Sequence, residues 1–456
     1  MTGMVGAFVR HGLETKFEDL TPDAIAAIKT YLLDTLGVGI AGASIPLTEA
    51  VRASARTWGG SGSAHVWGRG SFGTTPANAA FVNGFQIHGQ EFDCVHEPAV
   101  VHPLATILAA LMAEADARGD LNGKELAVAL AVAVDLAAGI GVSVSSPIKF
   151  FRPANAGIFG ATLGIARLRK LSAEETKDAL GYALAFNSGT MQAHVEGKPA
   201  LPVQLGNAAR GALMACDLAA QGMPGPHDSL EGPFGYFSLF EDEADPAKVI
   251  ASLGKVWRIA EVSHKPFPTG RAAQGGIVLM QKLKAAGVRA EDVEQIKLTA
   301  PPLIHRLVGR PIKPGMAVNY ARLCFQYSGA VALRNGTVGL EDFSDNALKD
   351  PETLKLGERI QVIDDGGRDP AAFTPQTAIA TLKDGREVRA EINALYGSPS
   401  DPMTREAHLA KFRSCVTFGF GNQRPQIEQQ LIELTDQLEE VEDVSVLSRL
   451  AAGLEA

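Results

Sequence analysis

Apolar residues recur with a spacing near 3.6 over roughly the first 260 residues, a pattern that predicts one helix after another. Local start signals agree with this prediction. Thr21 stands before Pro22 at the head of an apolar segment, as an N-cap residue does, and Ser172 with Glu175 forms a capping-box pattern. Pro103 opens a further Ala- and Leu-rich segment, with Gly119 placed to end it.

The pattern changes after about Lys265. The segments VEQIKLTAPP, ERIQVIDD and TAIATLKDGREVRAEI show the alternation or β-branched content of strands, and Lys383-Asp384-Gly385 predicts a tight hairpin turn. Helical segments such as YARLCFQYSGAVALRNG lie between them, and the tail from Met403 is helical again. We therefore expect a mostly α fold with an α+β part. A large all-helical domain would be built from residues 1–265 and 400–456, and residues 266–399 would form a smaller inserted α/β lid domain.

Composition narrows the class of protein. The chain has 456 residues and a formal net charge of −9, without the basic patch of a nucleic-acid partner. The N-terminus lacks a secretory pattern, and the apolar run 126–142 is short and interrupted by Asp135, so we expect a cytoplasmic protein with no membrane partner. Four dispersed cysteines form no zinc or disulfide pattern, and no nucleotide or metalloprotease motif is present. We expect no cofactor and no metal.

Polar residues concentrate in HGQEFDCVHEPAVVH, which we name the 88–102 stretch. A carboxylate beside an imidazole can hold a base near its working pKa, so this stretch predicts general acid–base chemistry. A metal site is the weaker hypothesis because the spacing fits no zinc motif. The alternative is a polar inter-helix loop with capping roles, which we favour for His88. The stretch contains His88, Glu91, Asp93, His96, Glu97 and His102.

Three further segments could supply cations to an anionic ligand. Arg152 stands at a predicted helix start, where a guanidinium and helix amides together bind carboxylates, although a surface Arg fits almost as well. Lys198 lies in a loop before a helix. Lys265 and Arg271 lie on a Pro- and Gly-rich loop at the proposed domain junction, where ligands often bind. Tyr327 is on an apolar helix and could donate a proton, bind a carboxylate or belong to the core.

Five segments, in order, resemble signatures of the MmgE/PrpD family, which includes 2-methylcitrate dehydratases, cis-aconitate decarboxylases and iminodisuccinate epimerases. They span roughly 250 residues, and the resemblance covers nearly the whole chain. The family implies a large helical domain, a smaller α/β lid, a homodimer, a site between the domains and catalysis without metal or organic cofactor. The segments are LLDTLGVGIAG, AAFVNGFQIHGQEFDCV followed by HP, LGNAARGA, HKPFPTGR and NYARLCFQY.

The resemblance carries catalytic roles to Asp93, His102, Lys265 and Tyr327. His96, Arg152, Lys198 and Arg271 are the candidate substrate-binding residues. Some family positions are altered, and these alterations affect the residues that would contact substrate. The second Asp of the family's DFDD, its FHP histidine, its lysine and histidine before GxAA, and its loop histidine fall on Cys94, Arg152, Leu201, Gln204 and Gly270.

We therefore predict an enzyme, a dehydratase-type lyase that acts on a small di- or tricarboxylate. His102 and Asp93 would remove a proton next to a carboxylate, with Lys265, Arg271 and Arg152 stabilising the developing negative charge. Tyr327 would protonate the leaving group. Two alternatives remain open. One is an epimerase, isomerase or decarboxylase of a related carboxylate, and the other is a non-catalytic, carboxylate-binding homodimer.

Overall fold

The computed structural model describes residues 3–369 and 371–455 and confirms the predicted fold class, a mostly helical protein with an α+β part. The helices are α1 (Met4–Glu14), α2 (Pro22–Ala41), α3 (Thr48–Thr57), α4 (Pro76–His88), α5 (Pro103–Arg118), α6 (Gly123–Val142), α7 (Arg152–Leu168), α8 (Ala173–Ala185), α9 (Gln192–Glu196), α10 (Ala200–Ala220), α11 (Tyr236–Phe240), α12 (Ala247–Ser252), α13 (Arg271–Ala285), α14 (Pro302–Val308), α15 (Val318–Ala321), α16 (Phe325–Asn335), α17 (Pro351–Gly357), α18 (Arg405–Phe420), α19 (Pro425–Asp436) and α20 (Ser445–Ala451). The strands are β1 (Ala64–His65), β2 (Gly73–Thr74), β3 (Val293–Ala300), β4 (Ile360–Asp364), β5 (Gln376–Leu382) and β6 (Glu387–Ile392).

The helix ends follow from local chemistry. The Thr21 side chain accepts a hydrogen bond from the Ala24 amide, and Ser172 forms a complete capping box with Glu175. Each satisfies a backbone amide that the first turn leaves without a helical partner. Helix α5 begins at Pro103 and ends at Gly119, whose φ of 68° is the left-handed conformation that favours glycine. These sequence predictions are confirmed.

Helices α4, α5, α6, α7 and α10 pack against one another, and α2 packs against both α4 and the C-terminal helix α18. Their buried apolar side chains form one core, drawn from residues 4–262 and 412–451 together with Leu340. Small residues allow the close packing of α4 on α10. A Cβ at Gly206 would lie 2.3 Å from the Phe81 carbonyl oxygen, so glycine is required there. The two ends of the chain thus share one helical core.

A second core, from residues 267–395, surrounds a four-stranded sheet in the order β4-β3-β5-β6. Strand β4 pairs parallel to β3, and the other two pairs are antiparallel. Alternate residues of β5 are buried, as expected of a sheet covered on one face, and α13 packs on β5 and β6. The predicted hairpin turn joins β5 to β6, with Gly385 at φ 86°. The domain boundaries that we placed at 265 and 400 stay a prediction.

One predicted helix is interrupted. The segment YARLCFQYSGAVALRNG forms α15 and α16, separated by Arg322, Leu323 and Cys324. In this break the Arg322 side chain turns toward the 88–102 stretch, and its Nη1 donates to the Gly89 carbonyl over 2.7 Å. The break therefore lets the second core contact the loop that carries the candidate site.

Two helical segments, Pro22–Ser44 and Gly123–Val142, are long and apolar enough to cross a membrane. However, 72% and 89% of their most apolar windows are buried within the protein. The interior of α6 also holds Asp135, whose Oδ2 lies 2.9 Å from Nε2 of His11. Burial in the helical core accounts for the apolar character of both segments, as the sequence predicted for 126–142.

A buried ion pair ties α18 to α2 and to the candidate site. Nζ of Lys411 lies 2.7 Å from Oδ1 of Asp34 and donates to the Phe92 carbonyl over 2.9 Å. The two side chains are only 4% and 0% exposed. Removing one partner of such a pair leaves the other charge buried and uncompensated, which costs far more than breaking a surface pair.

We expect the Lys411→Met substitution to lower the free energy of unfolding by about 3–5 kcal/mol. The matched control is Lys149→Met, which removes the exposed pair with Asp242 and is expected to change stability by less than about 1 kcal/mol. Urea unfolding followed by tryptophan fluorescence is the measurement, because Trp58, Trp67 and Trp257 all lie outside the second core. Equal losses of stability in the two variants would contradict the assignment of Lys411 to a stabilising buried ion pair.

Candidate active site

The 88–102 stretch brings two imidazoles onto one buried carboxylate. His88 is the last residue of α4, and its Nδ1 lies 3.1 and 3.0 Å from the two oxygens of Asp93. His102 immediately precedes α5, and its Nδ1 lies 3.2 Å from Oδ2 of Asp93. The two rings pack edge to face with their centroids 4.8 Å apart. Asp93 is fully buried, so these contacts replace its lost hydration.

A buried ammonium holds a second carboxylate next to this trio. Nζ of Lys265 lies 3.0 Å from Oε2 of Glu91 and 3.8 Å from Oδ1 of Asp93. Glu91 also approaches His88, with 3.5 Å between Oε1 and Nε2. Glu91 has a φ of 54°, a conformation unusual for a residue with a side chain and one that recurs at functional sites. The turn thereby directs its carboxylate back toward α4.

The two histidines titrate in opposite directions. Burial opposes the charge of His88, but the negative charges of Asp93 and Glu91 outweigh it and raise the pKa of His88 above 6.5. For His102, burial and the Lys265 charge outweigh Asp93, so the pKa of His102 is lowered below 6.5. Near pH 6.5 the structure therefore favours a protonated His88 beside a neutral His102.

The carboxylates are held ionised. Burial alone would raise the pKa of Glu91, but Lys265 and the two histidines lower it to about 2. The same balance lowers the pKa of Asp93 well below 3.8, with His88 and His102 making the largest charge contributions against burial. Asp93 thus remains an anion throughout the neutral range and can stabilise an imidazolium on either side.

Hydrogen bonding fixes the tautomer of neutral His102. Its Nδ1 faces Oδ2 of Asp93 and also lies 3.1 Å from the Cys94 carbonyl oxygen, and both neighbours only accept hydrogen bonds. Nδ1 must therefore carry the hydrogen. Nε2 is left with its lone pair, which is the state a general base needs.

Both imidazoles line a small cavity of about 90 Å³ between the helical core and the second core. The polar side chains of its wall are Glu91, Arg271 and three histidines, His88, His102 and His194. The remaining lining residues are Gly270 and twelve apolar residues, namely Val95, Val100, Ile148, Phe151, Pro153, Met191, Leu201, Ala272, Leu307, Val308, Leu323 and Phe373.

Arg271, the first residue of α13, is the cation on the cavity wall. Its Nε donates to Glu97 over 2.6 Å, and its Nη1 donates to Gln274 and to the Tyr396 carbonyl. Its Nη2 is buried and has no hydrogen-bond partner among the described residues. A buried guanidinium nitrogen without a partner is costly, so a ligand carboxylate at this position would be stabilising.

The structure brings four predicted site residues together, with Asp93, His102 and Lys265 in one cluster and Arg271 on the cavity wall. Lys265 is not among the described residues that line the cavity. Its ammonium lies behind Glu91 and Asp93, where it keeps both carboxylates ionised. Its direct charge contact is therefore with these two residues and not with a ligand.

Two predicted residues lie elsewhere. Tyr327 is fully buried on α16 in the second core, and its hydroxyl donates to the Asp342 carbonyl oxygen, so it is not available to protonate a leaving group in this structure. Lys198 is exposed at the end of the α9 loop and does not line the cavity. Apolar helix position alone did not distinguish a catalytic Tyr327 from a core tyrosine.

Two further predicted residues lie behind the cavity wall with their charges already paired. Arg152 makes two hydrogen bonds to Glu241, of 2.9 and 3.0 Å, and does not present a free fork to a ligand. Nε2 of His96 lies 3.0 Å from Oε2 of Glu261, and its Nδ1 accepts from the Ala99 amide. Arg152 also donates from Nη1 to the Ala99 carbonyl oxygen over 3.3 Å, so both residues stabilise the loop that follows Asp93, and neither lines the cavity.

The sequence favoured a capping role in an inter-helix loop for His88, and the structure places it at the end of α4 on the cavity wall. His88 is a cavity residue because the turn through Glu91 folds Asp93 back onto it. Glu91 and His194 also line the cavity, and the sequence pattern did not identify either as a site residue. The signal that could have identified His88 was its place among six acids and imidazoles in fifteen residues, a density that is costly to bury without pairing.

Two groups of described residues have donor atoms close enough to hold a metal ion. They are His88, Asp93 and His102, and Asp34, His264 and His408. In each group an ammonium already lies beside the carboxylate, Lys265 in the first and Lys411 in the second. A dication would be repelled by that ammonium, so the donor sets suit proton transfer better than metal binding. The absence of a metal stays a prediction.

A buried acid–base cluster on a cavity between a helical core and an α+β core is typical of an enzyme that transfers protons. Comparison with known families agrees. The MmgE/PrpD N-terminal domain matches residues 7–248, and the MmgE/PrpD C-terminal domain matches residues 267–437. This chain belongs to the MmgE/PrpD family.

Its similar proteins include full-length enzymes. The cis-aconitate decarboxylase of Mus musculus is 28% identical over 97% of this chain and 92% of its own length, and that of Homo sapiens is 27% identical over 97% and 93%. A mitochondrial 2-methylcitrate dehydratase of Yarrowia lipolytica is 28% identical over 22% of this chain and 19% of its own length. These relatives support an enzyme of the carboxylate lyase or decarboxylase kind without fixing which reaction it catalyses.

Proposed function

We propose that the protein is a cofactor-independent, dehydratase-type lyase that removes a proton from the carbon next to a carboxylate and expels water. One observation carries this proposal. Two histidines share Asp93 on one cavity, and their pKa values are displaced in opposite directions. Such divergence assigns one group as acid and the other as base.

His102 is the base in this proposal. Its Nε2 lone pair accepts the proton from the substrate carbon, and the electrons of that C–H bond form the new carbon–carbon double bond. Asp93 faces Nδ1–H and stabilises the imidazolium that results. This extends the sequence prediction that His102 and Asp93 act together.

His88 is the acid, in the role that the sequence assigned to Tyr327. Its Nε2 lies 3.5 Å from Oε1 of Glu91 and has no hydrogen-bond partner among the described residues, and His88 lines the cavity. As the carbon–oxygen bond breaks, Nε2–H donates its proton to the departing hydroxyl, which leaves as water. Proton exchange with solvent then restores both imidazoles.

Arg271 is the group that supports binding of the substrate carboxylate. Negative charge develops on that carboxylate as the proton leaves the neighbouring carbon. A fixed guanidinium in a buried cavity stabilises this charge more strongly than water does. The unpartnered Nη2 is the donor available for it.

Decarboxylation is the second candidate because the full-length relatives are named cis-aconitate decarboxylases. In that reaction His88 would protonate the carbon that loses carbon dioxide, and His102 would not be needed as a base. The two reactions therefore differ both in product and in their dependence on His102.

We also propose that the chain works as a homodimer in the cytoplasm, without nucleic-acid or membrane partners. The homodimer is what the resemblance of the sequence implies, and the net charge of −9 is in keeping with a protein that does not bind nucleic acid.

The test of function uses a panel of 2- and 3-hydroxycarboxylates in deuterated water, followed by proton NMR, with a carbon-13 carboxyl label to detect released carbon dioxide. We expect water loss, with deuterium appearing next to the carboxylate only in recovered substrate, where the proton removal has reversed in the solvent. We expect His102→Gln and His88→Gln each to lower kcat by about 10²–10⁴, the usual contribution of a general acid or base.

The matched control is Tyr327→Phe, which removes a hydroxyl that the structure places outside the cavity and should leave kcat near that of the wild type. A loss in Tyr327→Phe as large as that in His102→Gln would instead restore the sequence assignment. Carbon dioxide release that is insensitive to His102→Gln would favour decarboxylation.

The pH dependence of kcat/KM follows from the two shifts. The base must be neutral, so activity is lost as pH falls through the pKa of His102, which lies below 6.5. The acid must be protonated, so activity is lost as pH rises through the pKa of His88, which lies above 6.5. We expect a bell-shaped profile that spans pH 6.5. A profile that only rises through this range would contradict the assignment of His88 as acid.

A further inference from the structure

The charges around the cavity are matched one to one. Three carboxylates lie in or next to its wall, Glu91, Asp93 and Glu97. Three cations contact them, Lys265, Arg271 and protonated His88. The group therefore has no surplus positive charge to neutralise several carboxylates on a ligand, although it offers one unpartnered donor, Nη2 of Arg271.

The nearby cations that remain do not supply this surplus at the wall. His194 lines the cavity, but burial and the charge of Arg310 lower its pKa to about 4, so it is neutral near pH 7. Arg310 donates from Nη2 to the His194 carbonyl oxygen, Arg306 is exposed, and neither is in the lining. Arg322 is directed to the Gly89 carbonyl and faces a separate groove near Phe343.

The rest of the wall is apolar and comes from both cores. Phe151 next to α7 and Leu201 near the start of α10 line the same cavity as Leu307 and Val308 of the second core. Placing a second or third carboxylate against such side chains would remove its hydration without replacing it. A hydrocarbon group there gains from leaving water.

We infer that the substrate of this site is an amphipathic monocarboxylate, with its single carboxylate on Arg271 and a hydrocarbon arm against Leu201 and its apolar neighbours. The inference rests on the proposed function, because it names the substrate class for the same cavity. It replaces the di- or tricarboxylate expected from the sequence with an acid that has a single carboxylate.

Binding to the full-length protein tests the inference independently of turnover. The probes for isothermal titration calorimetry at pH 7 are butyrate, pentanoate and hexanoate, the dicarboxylate adipate, the tricarboxylate tricarballylate and the neutral hexanamide. We expect affinity to rise about fourfold per added methylene from butyrate to hexanoate. Adipate and hexanamide should each bind at least about tenfold more weakly than hexanoate, since one buries an unpaired charge and the other leaves Arg271 unpaired. Tighter binding of adipate or tricarballylate than of hexanoate would overturn the inference. Binding of hexanamide as tight as that of hexanoate would show that Arg271 does not recognise a carboxylate, and would overturn it as well.

A charge placed in the wall provides a second test. The Leu201→Lys variant adds a cation to the cavity, and we expect it to reverse the order, so that adipate binds more tightly than hexanoate. The matched control is Met214→Lys, which adds the same charge to an exposed position of the same helix and should keep the wild-type order. An unchanged order in Leu201→Lys would contradict the charge argument.

The two proposals can fail separately. A preference for hexanoate with no proton exchange or water loss in any acid of the panel would reject the lyase and retain the ligand class. Water loss from a tricarboxylate that also binds more tightly than hexanoate would reject the ligand class and retain the lyase.

Discussion

The candidate site depends on one buried carboxylate shared by two imidazoles. Asp93 has no exposed surface, so its charge is tolerable only because His88, His102 and Lys265 surround it. The asymmetry of those neighbours separates the two histidines. Burial and Lys265 lower the pKa of both histidines, but at His88 the negative charges of Asp93 and Glu91 outweigh them, and at His102 Asp93 does not. A single anion can therefore hold one imidazole protonated and the other neutral.

The fold supplies the rigidity that this arrangement needs. Asp93 lies in a loop, but that loop is fixed from several sides. Lys411 of α18 binds the Phe92 carbonyl, Arg322 binds the Gly89 carbonyl, and Val95 pairs with Ser263 two residues before Lys265. Contacts from α18, from Arg322 of the second core and from the segment before Lys265 therefore meet at the same fifteen-residue stretch, and a loop so constrained can position a proton-transfer pair.

Much of the fold could be predicted from the sequence because its signals are local. The caps at Thr21 and Ser172, Pro103 at the head of α5 and the turn at Gly385 each depend on a few neighbouring residues, and the structure contains all of them. The break between α15 and α16 was missed because it is stabilised by a distant contact, from Arg322 to Gly89.

The site was predicted only in part, because its local signals can be read from the sequence and its long-range contacts cannot. The density of acids and imidazoles identified the 88–102 stretch, and the family resemblance selected Asp93, His102 and Lys265. The sequence does not show which residue each polar side chain binds in the folded protein. Arg152 is paired with Glu241, eighty-nine residues away. The hydroxyl of Tyr327 donates to the carbonyl oxygen of Asp342. His88 joins the site only through the left-handed turn at Glu91. Long-range pairing decides which polar residues remain free to meet a ligand.

The central claim is that Asp93 holds two histidines in different protonation states, and histidine side-chain NMR tests it most directly. Nitrogen-15 spectra of labelled wild-type protein, assigned with His88→Gln and His102→Gln, report each pKa and the nitrogen that carries the hydrogen. The account predicts a pKa above 6.5 for His88, a pKa below 6.5 for His102, and the hydrogen of neutral His102 on Nδ1. Coincident titrations, the reverse order, or a neutral His102 with its hydrogen on Nε2 would contradict it.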